Sequence, residues 1–166
     1  VKFETLEHAT DGFNEDTHLI GRGGSCRVFR GSLCGSMTAI KVFNEEQGHE
    51  DWDDMQIQAE VEHLSKVEHP HINKLLAVCF DGPQRCLVLE YMAVGGLDTR
   101  LLNTALPVLQ WQERARILVQ VARALAHMHQ LDPPTVHRDL KPGNVLLAEC
   151  DGQLVAKVSD FGTVRV

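Results

Sequence analysis

Residues 136–147 read VHRDLKPGNVLL, placing His137, Arg138, Asp139, Lys141 and Asn144 on one short loop between apolar runs. A base, an acid and an amide thus share a few residues of chain. Residues 157–164, KVSDFGTV, add a second lone acid, Asp160, beside a Phe-Gly turn. Either stretch alone reads as a polar turn. A third stretch, GRGGSCRVFRG at 21–31, has the composition of a phosphate loop, because glycines let backbone N–H groups approach phosphate oxygens with no β-carbon in the way. Gly21 and Gly23 fit the first two positions of a G-x-G-x-x-G pattern, Gly24 adds flexibility, and Cys26 stands where the third glycine would be. A dinucleotide fold needs a helix to open after such glycines. Here RVFR alternates and stops at Gly31, so the loop joins two strands. No Gly-Lys pair occurs anywhere, which removes a Walker-type loop.

The next charged candidate is Lys41, on the alternating apolar stretch MTAIKVF. Glu60 follows in MQIQAEVEHLSKV, where Ile57, Val61 and Leu64 share one helical face. A Lys41–Glu60 pair would hold the ammonium against phosphates as a positioned charge. Each feature alone also has a bland reading, a solvent-facing lysine or a glycine-rich hairpin. Their occurrence in this order is what argues for chemistry.

The elements that must position these residues change character along the chain. Residues 1–20 form a short amphipathic lead, FETLEHATDGFN, ending in an Asp-Gly turn. Alternating runs RVFRGSL, MTAIKVF, INKLLAVCF and RCLVLEYM follow, with the turn Asp81-Gly82-Pro83 between the last two and the acidic stretch 44–54 ahead of the helix. After AVGG at 93–96, the segment 111–130 reads as a long helix with Ala115, Leu118, Ala122 and Leu125 on the side expected to be buried. Asp132-Pro133-Pro134 stops it. NVLLAE and LVAKVSD then read as strands joined by an Asp151-Gly152 turn. The expected division is a lead-in at 1–20, a strand-rich lobe at 21–92, a linker at 93–96 and a helical lobe at 97–166.

Composition narrows the class. The chain has 166 residues and a formal net charge of −7, with no basic block to neutralise a phosphate backbone, so a nucleic-acid partner is not expected. No apolar run approaches the ~18–20 residues that span a bilayer. The five cysteines, Cys26, Cys34, Cys79, Cys86 and Cys150, form no C-x-x-C pair and read as reduced thiols. His63, His69 and His71 lie near one another without a cysteine pair or an H-E-x-x-H, and read as surface or capping histidines.

Taken together, GRGGSC-RV (21–28), AIK (39–41), AEV (59–61), LVLEYM (87–92), HRDLKPGN (137–144) and DFG (160–162) resemble, in order and spacing, the front part of a eukaryotic protein kinase domain. The finer resemblance is to the tyrosine-kinase-like group, especially the interleukin-1-receptor-associated, Pelle and plant receptor-like serine/threonine kinases. It rests on FETLEHATDGFNEDTHLIGRGG, LQWQERARILVQVARALAHMH, DPPTVHRDLKPGNVLL and AKVSDFG. One departure is Leu89, where many of those kinases carry a tyrosine. The resemblance implies an α+β, two-lobed fold: an antiparallel small lobe with one helix, then the start of a helical large lobe.

It also implies roles. Asp139 would accept and align the proton of the attacking hydroxyl, and Lys141 would neutralise charge on the transferring γ-phosphoryl group, favouring a serine or threonine acceptor. Asn144 and Asp160 would hold Mg2+. Lys41, paired with Glu60, would contact the α- and β-phosphates of ATP beneath Gly21, Arg22, Gly23 and Gly24. Val28, Ala39 and Leu146 would sandwich the adenine, whose edge is read by backbone groups of Glu90 and Met92. His137 and Phe161 would pack, and Arg138 would meet a regulatory phosphate. Protein substrates, an upstream receptor or adaptor, and a cytoplasmic or membrane-proximal cytoplasmic location follow from the same resemblance. Because the chain starts at Val1 and stops shortly after Gly162, it is expected to be an excerpt, inactive by itself in protein phosphorylation. The competing class is a nucleotide-binding pseudokinase or scaffold, against which the intact Lys41, Asp139, Asn144 and Asp160 argue.

Overall fold

The structure, a computed structural model, describes residues 1–44, 57, 58, 60–62 and 64–162. Most of the acidic stretch at 44–54, together with Ala59 and His63, therefore lies outside the described residues. Chain contacts group residues 1–56 with 74–91 in one compact unit, and 57–73 with 92–166 in another.

In the first unit, helices α1 (Phe3–Ala9) and α2 (Glu15–His18) precede strands β1 (Leu19–Arg22), β2 (Cys26–Leu33) and β3 (Ser36–Phe43). Strands β4 (Leu75–Cys79) and β5 (Cys86–Glu90) complete an antiparallel sheet of order β1-β2-β3-β5-β4. The β2–β3 connection is a two-residue turn in which Cys34 (φ +51°) and Gly35 (φ +80°) both take left-handed dihedrals, the geometry that matches the twist of paired strands. Alternation along the strands separates two faces. One face carries Phe29, Ile40, Val42, Cys86 and Val88, which close on Leu6 of α1 and form the core. Gly31 sits under α1, where a Cβ would stand 2.7 Å from Ile40 Cδ1 and 3.1 Å from the Ala9 carbonyl oxygen. The opposite face carries Val28, Ala39 and Lys41.

The second unit contains β6 (Gly95–Gly96), α3 (Leu97–Leu102), α4 (Trp111–His129), a 3-10 turn at Pro142–Asn144, β7 (Val145–Cys150) and β8 (Gln153–Val158). Residues 57, 58, 60–62 and 64–66 are also helical, with Ile57, Leu64 and Glu60 buried. Strands run β6-β7-β8, with Asp151 (φ +52°) and Gly152 (φ +72°) forming the expected turn. At the start of α4, Glu113 accepts the Gln110 N–H at 2.6 Å.

The buried stripe of α4 differs from the expected one. Ile117, Ala124 and Met128 are buried, whereas Leu118 is 64% exposed and Ala122 is exposed. The helix carries two apolar stripes one residue apart. The stripe of Ile117 and Val121 meets Leu147, Leu154 and Ala156 on the β7–β8 hairpin. Gln120 fastens the contact, its Oε1 accepting the Ala156 N–H at 2.7 Å. A parallel bridge ties Ile72 to Val158, with the Asn73 N–H donating to Val158 O and the Val158 N–H to His71 O.

Candidate active site

In the second unit, the loop after α4 and the segment after β8 are joined by one ring. His137 is buried, and its Nδ1 accepts the Asp139 N–H at 3.3 Å while Nε2 lies 2.9 Å from the Ser159 carbonyl oxygen. Nδ1 is the acceptor, so Nε2 carries the proton and donates. The ring meets Phe161 edge to face at 5.3 Å. Asn144 supplies the second tie. Its backbone carbonyl accepts from the Ser159 N–H at 2.9 Å and from Ser159 Oγ at 3.2 Å. The residue before Asp160 is thereby stapled to the residue that closes the HRDLKPGN loop. Ser159 carries no motif signature, and its position before Asp160 is its only cue in the sequence.

Around Asp139 the geometry is specific. Lys141 Nζ donates to Oδ2 at 2.6 Å, and Asn144 Nδ2 donates to Oδ2 at 2.9 Å and to the Asp139 carbonyl oxygen at 2.8 Å. Both amide hydrogens of Asn144 are thus spent on Asp139, which fixes the amide orientation and leaves Oδ1 as its acceptor atom. The Lys141 ammonium, and after it the Asn144 amide, hold the Asp139 carboxyl below the usual carboxylate range, while Asp139 holds the Lys141 ammonium above its ordinary value. The Asp160 charge acts on Lys141 in the same direction, so the two acids and the lysine share one electrostatic locus. Arg138 (φ +67°) and Asp160 (φ +63°) adopt left-handed backbone, a cost to any side chain that the surrounding bonds must hold in place. Asp160 is exposed.

Mg2+ is a hard cation that takes oxygen ligands and tolerates a site with one or two carboxylates plus substrate phosphates. Asn144 Oδ1 and the Asp160 carboxylate are donors of that kind on two stapled segments, so they fit such an ion. Leu146 on β7 lies opposite Gly96 and Lys157 and is half-buried, on the face away from Val145 and Leu147. The Met92 carbonyl oxygen accepts the Gly95 N–H at 3.0 Å.

In the first unit, Val28 is the cross-strand partner of both Gly21 and Lys41, and Ala39 lies two residues from Lys41 on the same face. Lys41 is buried to 8% exposure, and its ammonium stands 5.1 Å from the Phe43 ring centroid. The β1–β2 turn is closed by the Gly23 N–H donating to Cys26 O at 2.8 Å and the Asn44 N–H to Ser25 O at 2.8 Å. Among the described residues, the N–H groups of Gly24 and Ser25 have no protein acceptor, and no atom comes within 4 Å of a Cβ placed on Gly24. Such a turn suits phosphate oxygens. The Glu90 N–H is spent on Lys74 O at 2.9 Å. Glu60, in the second unit, is 2% exposed.

The sequence profile of the protein kinase domain matches residues 14–166. The chain belongs to that family. It is 37% identical to the proline-rich receptor-like protein kinase PERK15 of Arabidopsis thaliana, over 98% of this chain and 31% of the relative. It is 40% identical to the receptor protein kinase WSS1 of Oryza sativa subsp. japonica, over 100% of this chain and 18% of the relative. The probable serine/threonine-protein kinase PBL26 of Arabidopsis thaliana is 38% identical, over 99% of this chain and 39% of the relative. The chain therefore spans well under half the length of these curated relatives. The expected likeness to receptor-like kinases of the tyrosine-kinase-like group, and the small antiparallel lobe expected with it, both hold. Among the described residues no helix is long and apolar enough to cross a membrane.

Proposed function

We propose that the protein is an ATP-dependent kinase that transfers the γ-phosphoryl group to serine or threonine hydroxyls of protein substrates. One observation carries the reading: Lys141 and Asn144 converge on one carboxylate oxygen of Asp139, beside a segment bearing Asp160. A carboxylate held in its ionised form is a weak base but a firm acceptor. That suits phosphoryl transfer through a loose transition state, in which the hydroxyl needs aligning more than early deprotonation. Asp139 accepts the hydroxyl hydrogen and orients the oxygen in line. Lys141, already within bonding distance of Asp139, neutralises charge on the transferring group.

Asn144 and Asp160 would hold magnesium, which would supply positive charge toward the phosphates. In the first unit, Gly21, Arg22, Gly23 and Gly24 cover the phosphates, Lys41 contacts the α- and β-phosphates, and Val28 and Ala39 line the adenine. Leu146, Met92 and Glu90 complete the adenine contacts. Arg138 meets a regulatory phosphate bidentately. The protein acts in signalling at the cytoplasmic face of a membrane or in the cytoplasm, under an upstream receptor or adaptor.

The test uses the full-length protein. Asp139→Asn is expected to keep nucleotide binding and to cut phosphoryl transfer by a factor on the order of 10²–10⁴. Asp160→Ala is expected to remove most of the gain in ATP affinity that Mg2+ confers on the wild type. Undiminished transfer by the first variant, or unchanged magnesium dependence in the second, would refute the assigned roles, and a wild type without transfer would leave a scaffold function in their place.

A further inference from the structure

Arg22 and Arg27 are Cα partners on β1 and β2, on the last rung before the glycine turn. Two cations directly opposite across antiparallel strands oppose the pairing. Glu15 of α2 lies against both: Oε2 accepts from Arg22 at 2.6 Å, and Oε1 accepts from Arg27 at 3.0 Å. One oxygen goes to each guanidinium. Glu15 is itself anchored, because Asn14 Oδ1 accepts the Asp16 N–H at 3.0 Å at one end of α2. Toward its other end, Arg30 of β2 donates to the Thr17 carbonyl oxygen from Nε at 3.3 Å and from a terminal nitrogen at 3.0 Å. The turn beyond the rung is held by the Gly23 and Asn44 backbone bonds described above, with the Asn44 side-chain amide 3.5 Å from Gly24 O. Glu15 is therefore the anion at the point where the stem gives way to the turn. The two arginines in turn hold its carboxyl below the usual range, Arg27 first.

We propose that Glu15 is a positioning residue for the glycine turn: by bridging Arg22 and Arg27 it keeps the β1–β2 stem closed and presets the Gly24 and Ser25 N–H groups for phosphate. The phosphate part rests on the kinase reading above, whereas the closing of the stem does not. Without the carboxylate, the opposed guanidiniums repel, the rung opens, and the turn must be reordered each time phosphate binds.

Amide hydrogen exchange of the full-length protein without nucleotide reads the stem directly. Glu15→Gln is expected to speed exchange of the hydrogen-bonded amides within 21–28 about threefold to tenfold, the worth of two exposed ion pairs, and to leave β3 and β5 unchanged. Adding Arg27→Gln removes one of the two cations and is expected to return those amides to within about twofold of wild type, a rescue that simple loss of a surface contact would not give. ATP titration of the same proteins is expected to show weaker binding by Glu15→Gln. Exchange at 21–28 indistinguishable from wild type, acceleration spread over the whole sheet, or failure of the double variant to recover would overturn the clamp. A wild type that binds no ATP would refute the kinase reading, while the exchange comparison would still decide the role of Glu15.

Discussion

Replacing His137 with phenylalanine isolates what the imidazole does beyond filling space. The substitution keeps a ring against Phe161, whose centroid lies 5.3 Å away, and removes both hydrogen bonds. The two lost bonds are unequal. The Asp139 N–H belongs to a residue whose side chain is 37% exposed and can turn to water. The Ser159 carbonyl belongs to a residue only 8% exposed and loses its partner outright. One buried acceptor left unpaired costs about 1–3 kcal/mol. For a chain of this size each kcal/mol shifts the melting temperature by roughly 2–4 °C, so about 2 kcal/mol corresponds to about 4–8 °C. His137→Ala adds a cavity and is expected to cost more, on the order of 3–5 kcal/mol in all. Thermal melts followed by circular dichroism check the order wild type, then Phe, then Ala. A Phe variant that melts with or above the wild type, beside a destabilised Ala variant, would show that the ring only packs and that the tie between the two acidic segments is not energetically real.

The Asp139–Lys141 pair has a defined pH window. A depressed carboxyl contributes stability above the unfolded carboxylate value and loses it as pH falls through the folded one, and the raised ammonium contributes below its ordinary value and loses it as pH rises through the folded one. An NMR titration should place the Asp139 midpoint below the usual ~3.9, with Lys141→Met moving it upward; a midpoint unmoved by that substitution would refute the assignment. Gly31→Ala should destabilise the chain by about 1–3 kcal/mol, because the new Cβ meets Ile40 and the Ala9 carbonyl, while Gly24→Ala should leave unfolding by denaturant unchanged, since that position is open. Equal effects of the two glycine substitutions would contradict the packing.

The sequence alone determined the features set by near neighbours. Gly23 and Gly24 mark a turn because glycines leave backbone N–H groups unshielded by a β-carbon, and RVFR and MTAIKVF alternate because one strand face is core. The Asp151-Gly152 turn was legible from its two residues, whose left-handed dihedrals suit that pair. The candidate chemistry was legible for the same reason: His137, Asp139, Lys141 and Asn144 sit within eight residues, so their order in the chain nearly fixes their proximity.

Tertiary structure decided what long-range contact selects. Helix α4 has two apolar stripes of similar quality, and only docking on the β7–β8 hairpin chose Ile117 and Val121 over Leu118 and Ala122. The Ser159–Asn144 staple and the His137–Ser159 bond join segments 15 and 22 residues apart, and no local pattern announces them. Nothing adjacent to Glu15 in the chain singles it out; the register of β1 and β2 brings Arg22 and Arg27 opposite each other, and the fold sets Glu15 against both. Periodicity tells which residue types can be buried or charged together. Which of them meet is a property of strand register and helix docking, whose energies are summed over contacts far apart in the chain.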